Sequence, residues 1–385
     1  MARRIPVAWL QLGREPLRLL VGLAGVAFAV ILVFMQLGFR SAMYESATRY
    51  HRSLDYDLVL LSPKTPFIGI PEAFTRRRLY QALGADGVSS VSAVSIQQAF
   101  WKNPWERGVR NIVVVGVDPT RRAFLLPEVE RQLAEIRLPD VVLFDARSRP
   151  EFGPVAEQLA GGRAVSAEVN DRRVSVGGLF ELGTSFGIDG TLVTSELNFR
   201  RVFPDRAAGA IDLGLVQLAP GADLTDVRVR LERALEDDVL VLTRAAFIER
   251  EVRYWGSTTP IGFVFGFGAI MGLIVGAVIV YQILFADVSQ HLREYATLKA
   301  MGYSNRFLSS VVLQEAAILS VLGYLPGLAI TFGLYRATAE ATRLPLELEG
   351  GRALLVLGLT LAMCGGAALI ALRKVRSADP AEVFG

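Results

Sequence analysis

The sequence predicts an α-helical membrane protein with four transmembrane helices and a large α+β domain inserted between the first and the second. Three observations carry that prediction. Four nearly uncharged apolar runs occupy residues 17–39, 260–286, 307–335 and 353–372, each long enough to cross a bilayer core of about 30 Å. Between the first two runs, residues 40–255 break into short β-branched stretches bounded by turn residues. One strongly polar break, residues 287–306, separates the second run from the third.

Composition agrees. A chain of 385 residues with 52 % hydrophobic content and mean hydropathy +0.38 is too apolar for an ordinary soluble enzyme, while 21 % charged residues are too many for membrane throughout. The net charge of +3 and the absence of a long basic run argue against nucleic acid as a partner. Cys364, the single cysteine, lies in an apolar run, so neither an intrachain disulfide nor a thiol metal site is expected. His51 and His291 are too few for a histidine-rich metal site.

Arg3, Arg4, Arg14 and Arg18 lead into the first run and place residues 1–16 in the cytoplasm. A signal peptide is the competing reading. The run is longer than a usual signal core, and residues 36–40 make a poor cleavage context, which favours an uncleaved anchor. Arg373, Lys374 and Arg376 keep the tail, 373–385, on the same side. Four spans with both ends inside put residues 40–255 in the periplasm. The loop 336–352, with three Arg against three Glu, neither helps nor contradicts that orientation.

Within 40–255, Met43, Ala47, Tyr50 and Leu54 keep helical spacing and extend the first span. Strands are expected at 57–61, 88–96, 109–117, 141–144, 173–180, 191–194, 213–218 and 239–243. The clearest helix is 223–235, capped by Asp223, and it makes a β-α-β unit with its flanking strands. Residues 110–210 read as an insertion into a subdomain built from both flanks. A second amphipathic helix, 245–255, leads into the second span, so the first two spans each carry a helical stalk into the domain. In the second span Gly262, Gly266, Gly268, Gly272 and Gly276 form overlapping G-x-x-x-G patterns. Small residues four apart let helices approach closely in lipid, and the shared register of 268, 272 and 276 points to a helix–helix interface, expected to be a dimer contact.

The polar break reads as a short amphipathic helix. Val288, Leu292, Tyr295 and Ala296 follow a helical spacing, Gly302 occupies the position just past a helix C-terminus, and Ser304 can cap the helix that follows. Such a helix, held between two spans, suits docking of a soluble partner. The candidate contact residues are His291, Arg293, Glu294, Tyr295, Thr297, Leu298, Lys299, Met301 and Gly302. Gln282 in the second span, with Gln314 and Glu315 in the third, is expected at similar depth, making a polar tie between them.

Catalytic readings fare poorly. No G-x-x-x-x-G-K-[ST] occurs, so no ATP site is expected on this chain. Gly183-Thr184-Ser185-Phe186-Gly187 matches the G-x-S-x-G nucleophile elbow, but that motif requires a helix after the turn and a later histidine as base. Here a strand is expected next, and the later histidine, His291, falls across the membrane. A glycine-rich turn is the better reading.

The stretches VGAVIVYQILFADVSQHLREYATLKAMGYSN and RKVRSADPAEVF, with LVFMQLGFRSAMYESA, SRPEFG, GLFELGTSFGIDGTLVTSELNF and STTPIGFVFGFGAIMGLIVG, resemble the FtsX-like permease family that includes MacB. More narrowly they resemble the DevC-type permeases of tripartite ABC exporters, in which the ATPase is a separate protein. The resemblance implies a homodimeric inner-membrane permease with a MacB-like periplasmic domain. It binds no cofactor of its own, ATP and Mg being held by the partner ATPase docked at 287–306. A periplasmic adaptor and an outer-membrane channel are the further partners. The implied activity is export of a glycolipid or other amphiphile by mechanotransmission, the stalks carrying movement to the periplasmic side. Within the same family, the alternatives are a regulator of a periplasmic cell-wall hydrolase and a lipoprotein-releasing permease.

Overall fold

In the computed structural model, residues 16–291, 293, 294, 297, 299 and 301–377 are described. The chain divides into two compact units, one of residues 42–260 with 340–345 and one made of the remaining helices. In chain order the elements are α1 (Pro16–Ser53), β1 (Leu58–Leu61), β2 (Phe74–Thr75), α2 (Arg77–Leu83), β3 (Val88–Lys102), β4 (Val109–Val117), α3 (Pro127–Arg131), β5 (Val141–Asp145), α4 (Val155–Ala160), β6 (Val165–Val169) and β7 (Arg172–Phe180). They continue with β8 (Thr191–Ser195), α5 (Glu196–Val202), β9 (Ala210–Ile211), β10 (Leu213–Leu218), α6 (Leu224–Ala234), β11 (Leu240–Thr243), α7 (Arg244–Arg253), α8 (Pro260–Gln290), α9 (Asn305–Thr342) and α10 (Gly350–Ser377).

The mixed domain is built on a nine-stranded sheet in the order β11-β1-β10-β3-β4-β8-β5-β7-β6, with β2 and β9 forming a separate two-stranded pair. Its organising strand is β3, 15 residues long. The first half of β3 pairs antiparallel with β10, and the second half pairs with β4. Trp101 and Lys102 also pair with Val169 and Glu168 of β6, so β3, β4, β8, β5, β7 and β6 close into a ring. Closure removes sheet edges that would otherwise present unpaired backbone groups. Strands β4 to β8 complete the ring with β3, while β1, β10 and β11 lie on the other side of β3. Because β3 serves both parts, no break in the sheet separates them.

Residue alternation explains why strands such as β4 hold their place. Ile112 and Val114 belong to one apolar cluster and Val113, Val115 and Val117 to another, so both faces are buried. A third cluster covers β1 and β10 with α2 and α6, where Leu58, Leu60 and Val216 meet Leu79, Val227 and Leu231. Asp223 caps α6 by accepting the Asp226 N–H at 2.9 Å. β10 and β11 lie on either side of β1, both antiparallel to it, giving a β-α-β unit with a strand threaded between.

The strand β6 escaped the sequence reading, although its turn is a strong hairpin signal. Asn170 and Asp171 form a two-residue loop with φ of 47° and 60°, the left-handed pair that Asn and Asp tolerate best. Asn170 also closes the ring, its Oδ1 accepting the Phe100 N–H at 2.8 Å and its own N–H donating to Phe100 O at 3.1 Å. Nearby, Asp140 takes two bonds from Arg172 at 2.6 and 2.9 Å, and this guanidinium holds its carboxyl below the usual carboxylate range.

The helical unit is organised around the first part of α1. Among the described residues, four helices are long and apolar enough to cross a membrane: Leu19–Ser53, Pro260–Gln290, Ser309–Thr342 and Gly350–Leu372. Glycines set the packing. A Cβ added at Gly272 would sit 3.2 Å from Leu32 Cβ, and one at Gly276 would sit 2.5 Å from both Ala29 Cβ and Met363 Sδ. At Gly268 it would meet the Gln36 side chain at 2.5 Å. The register expected to serve a dimer is therefore filled by the chain's own first helix, with α10 adding Met363. Gly268, Gly272 and Gly276 thus face Gln36, Leu32, Val33 and Ala29 of α1. Gly262 is buried, whereas an added Cβ at Gly266 would meet nothing within 4 Å. A second small-residue pair, Gly323 and Gly327 of α9, receives Val26 and Val30. The Tyr335 hydroxyl donates to Phe34 O, and Tyr324 donates to Ala353 O at 2.9 Å, joining α9 to α1 and to α10.

Replacing Asn170 with Ala should destabilise the protein by about 1–2 kcal/mol, since both a left-handed residue and a backbone acceptor are lost. Asn170→Gly should recover part of that, and denaturant titration of the purified chain measures both. The Asp140–Arg172 contribution is complete above the ordinary aspartate range and is lost as pH falls through the lowered Asp140 value. Melting temperatures of wild type and Asp140→Asn should therefore differ most near neutrality and converge in acid. Gly276→Ile should cost about 1–3 kcal/mol through overpacking, while Gly366→Ile, at a position open within 4 Å, should be near neutral in the same thermal assay.

Candidate functional site

The polar segment between α8 and α9 starts from a buried acid. Asp287 lies in the last turn of α8 and is 8 % exposed. His291 turns back on it, Nδ1 standing 3.0 Å from Asp287 O and 3.5 Å from Asp287 Oδ1. The start of the expected short helix is thus the end of the second long one, and the turn at His291 divides them. Arg293, Glu294, Thr297 and Lys299 are helical; the first three are exposed and Lys299 is half-buried. The Thr297 hydroxyl donates to Arg293 O at 2.8 Å. Tyr295 and Leu298 lie outside the described residues.

Both end signals are visible. Gly302 has φ of +91°, a conformation that costs a residue with a Cβ but not glycine, and its N–H donates to Lys299 O at 2.9 Å. The Phe307 N–H reaches Ser304 O at 2.9 Å and Ser304 Oγ at 3.4 Å, which starts α9. The turn leaves Met301 at 62 % and Tyr303 at 47 % exposed. The Tyr303 and Phe307 rings are 4.9 Å apart. Sequence reasoning passed over these two aromatics, although an aromatic pair four residues apart beside a charged helix was the available signal. Together the segment offers charged groups next to a small apolar patch, a composition suited to gripping a protein surface.

The polar membrane residues do not converge as expected. Glu315 is fully buried, while Gln282 and Gln314 are exposed. Adjacent residues on a helix point about 100° apart, so burying Glu315 turns Gln314 away from the same contact.

The G-x-S-x-G stretch is a turn between β7 and β8. Ser185 Oγ accepts the N–H groups of Gly187 at 3.2 Å and Ile188 at 3.1 Å, which ties the turn to itself. The Asp145 carboxylate accepts from Leu182 at 3.0 Å and Gly183 at 2.8 Å, fixing the approach to it. Burial pushes the Asp145 carboxyl up, against those N–H donors. The His51 imidazole is fully buried, with Nε2 3.4 Å from Glu251 Oε2. Glu251 in turn accepts from Trp255 Nε1 at 2.9 Å and Ile68 N–H at 3.1 Å. Strand–turn–strand geometry with the serine oxygen engaged by its own loop is not a nucleophile elbow, which presents its serine on a strand-to-helix turn.

Among curated proteins, none matches the chain. Of solved structures, the extracellular domain of the noncanonic ABC-type transporter YknZ from Gram-positive bacteria is similar at 13 % identity and a TM-score of 0.33, over 49 % of this chain and 99 % of that one. The periplasmic region of MacB from Actinobacillus actinomycetemcomitans is similar at 10 % identity and a TM-score of 0.33, over 50 % of this chain and 90 % of that one. Residues 266–380, from α8 to beyond α10, match the family described as FtsX-like permease C-terminal. That span includes most of α8, the polar segment, α9 and α10. Over residues 266–380, the chain is therefore similar to the FtsX-like permease C-terminal family.

Proposed function

We propose that this chain is the membrane-spanning subunit of an ABC-type exporter, driven by a separate ATPase that docks on the segment 287–306. The observation that carries this reading is the family match over 266–380, joined to the exposed Arg293, Glu294, Met301 and Tyr303 within it. ATP and Mg reside on the partner. Docking presses on a segment whose ends belong to α8 and α9, so displacement of the ATPase reaches both helices. A second copy of the chain completes a homodimer through outward side chains of the bundle, the glycine register being occupied internally. In this reading both termini are cytoplasmic, the membrane is the bacterial inner membrane and residues 40–255 are periplasmic. There the domain engages an adaptor and an outer-membrane channel, and its movement exports a glycolipid or other amphiphile.

A second reading has equal support from the family description: an FtsX-like regulator that uses the same ATPase-driven movement to activate a cell-wall hydrolase. The two differ in which protein accompanies the periplasmic domain. Affinity purification of the full chain therefore decides between them, an adaptor favouring export and a peptidoglycan hydrolase favouring regulation. For the coupling segment, Glu294→Lys combined with Met301→Asp should lower recovery of the co-purified ATPase by about tenfold, the loss of roughly 1.4 kcal/mol at a contact. Recovery equal to wild type, with the melting temperature unchanged, would place the ATPase contact elsewhere.

A further inference from the structure

The mixed domain contains a cleft of about 390 Å³ that none of the preceding roles uses. This volume falls within the roughly 300–1,000 Å³ of small-molecule sites. Three segments distant in sequence each bring it an arginine: Arg76 ahead of α2, Arg121 after β4 and Arg137 before β5. Their known bonds leave donors over, since a guanidinium carries five N–H groups. Arg76 meets Glu196 at 3.3 Å, Arg121 donates to Val91 O at 2.5 Å, and Arg137 donates to Pro119 O at 3.2 Å.

Two polar atoms of lining residues, Arg76 Nε and Ser92 Oγ, are buried and meet no hydrogen-bond partner among the described residues. A buried polar atom left without a partner is costly, and a bound acceptor would satisfy it. The lining carboxylates do not fill that role. Glu196 is engaged by Arg76 and by the Ser95 hydroxyl, the latter at 3.0 Å, and Asp118 accepts from the Thr120 N–H at 2.9 Å and hydroxyl at 2.6 Å. Three guanidinium groups against two carboxylates leave one positive charge over. Beside these groups lie apolar side chains with large exposed surfaces, Tyr80 at 62 %, Leu83 at 38 % and Leu197 at 72 %.

From the arginines, the unpartnered donors and the apolar rim, we infer that this cleft binds a small amphiphile with an oxyanion head, a carboxylate or a phosphate monoester. The head lies on Arg76, Arg121 and Arg137, and the apolar body lies against Leu83 and Leu197. A guanidinium cluster suits either head, because both offer paired oxygens to its N–H fork. The concave shape and volume favour a small molecule over a flat protein contact. The site goes beyond the proposed ATPase coupling and holds whether or not an ATPase drives the chain.

The test is calorimetric titration of the full chain in zwitterionic lipid nanodiscs with octanoate and with octyl phosphate, subtracting empty nanodiscs, with octanol as the uncharged control. The expected result is saturable binding of at least one anion, absent for octanol. It should weaken about tenfold or more in Arg137→Gln and in Leu197→Glu. Both substitutions fall on exposed side chains, so melting temperatures should stay at the wild-type value. Tighter octanoate identifies a carboxylate head and tighter octyl phosphate a phosphate head. No saturable binding of either anion, binding equal to that of octanol, or binding unchanged in both variants overturns the inference. So does binding of an acidic, leucine-containing peptide without binding of either small anion, which would mark the cleft as a protein contact.

Discussion

Close backbone approach along the first helix is the constraint on which the helical unit depends. Inside a bilayer, apolar side chains gain nothing by leaving lipid for protein, so helices associate through dense packing and the few polar bonds available. Gly272 and Gly276 admit Leu32 and Ala29 from one side, while Gly323 and Gly327 admit Val26 and Val30 from the other. Val26, Ala29, Val30, Val33 and Phe34 are accordingly buried along one helix. The hydroxyl of Tyr335 on Phe34 O adds a polar link to a carbonyl already within that helix. With α1 held on two sides, α8 and α9 are fixed by contacts at both, and the segment joining them is short and bounded by Gly302 and Ser304.

The mixed domain rests on a different economy, the satisfaction of backbone groups by strand pairing. β3 is long enough to pair with β10, β4 and β6 in succession, and the ring it closes leaves few open edges. The polar bonds at its corners are backbone substitutes. Asn170 serves Phe100, Asp145 serves Leu182 and Gly183, and Asn198 donates to the carbonyls of Ile136, Leu138 and Val141. In each case a short side chain supplies the partner that a neighbouring strand would otherwise provide. Ser185 belongs to the same group, its Oγ accepting the Gly187 and Ile188 N–H groups of its own turn.

Elements with a strong local signal were legible in the chain. The four apolar runs, the strands at 109–117 and 213–218, the Asp223 cap and the Gly302 and Ser304 signals depend on side-chain period, fixed φ or a bond spanning three residues, all encoded by near neighbours. β6 was lost because Val165–Val169 is brief and half-polar, although Asn170-Asp171 marked its turn. The extension of β3 from Ile96 to Lys102 was lost because Gln97 and Gln98 interrupt its apolar character, and pairing with Val113 and Val114 sustains the strand regardless.

By itself the sequence determined the helices and strands with a strong local pattern, which glycines share a register and where the polar break lies, since each follows from periodicity or from one residue's allowed conformations. The tertiary structure alone decided what those glycines touch, because a register specifies a groove and says nothing of which helix fills it. It also decided that Glu315 is buried while Gln314 is not, and that Arg76, Arg121 and Arg137 line one cleft. Those three are separated by 45 and 16 positions along the chain. Long-range contacts that no local pattern specifies bring them to one place, among them the Arg121 bond to Val91 O of β3 and the Arg76 pairing with Glu196.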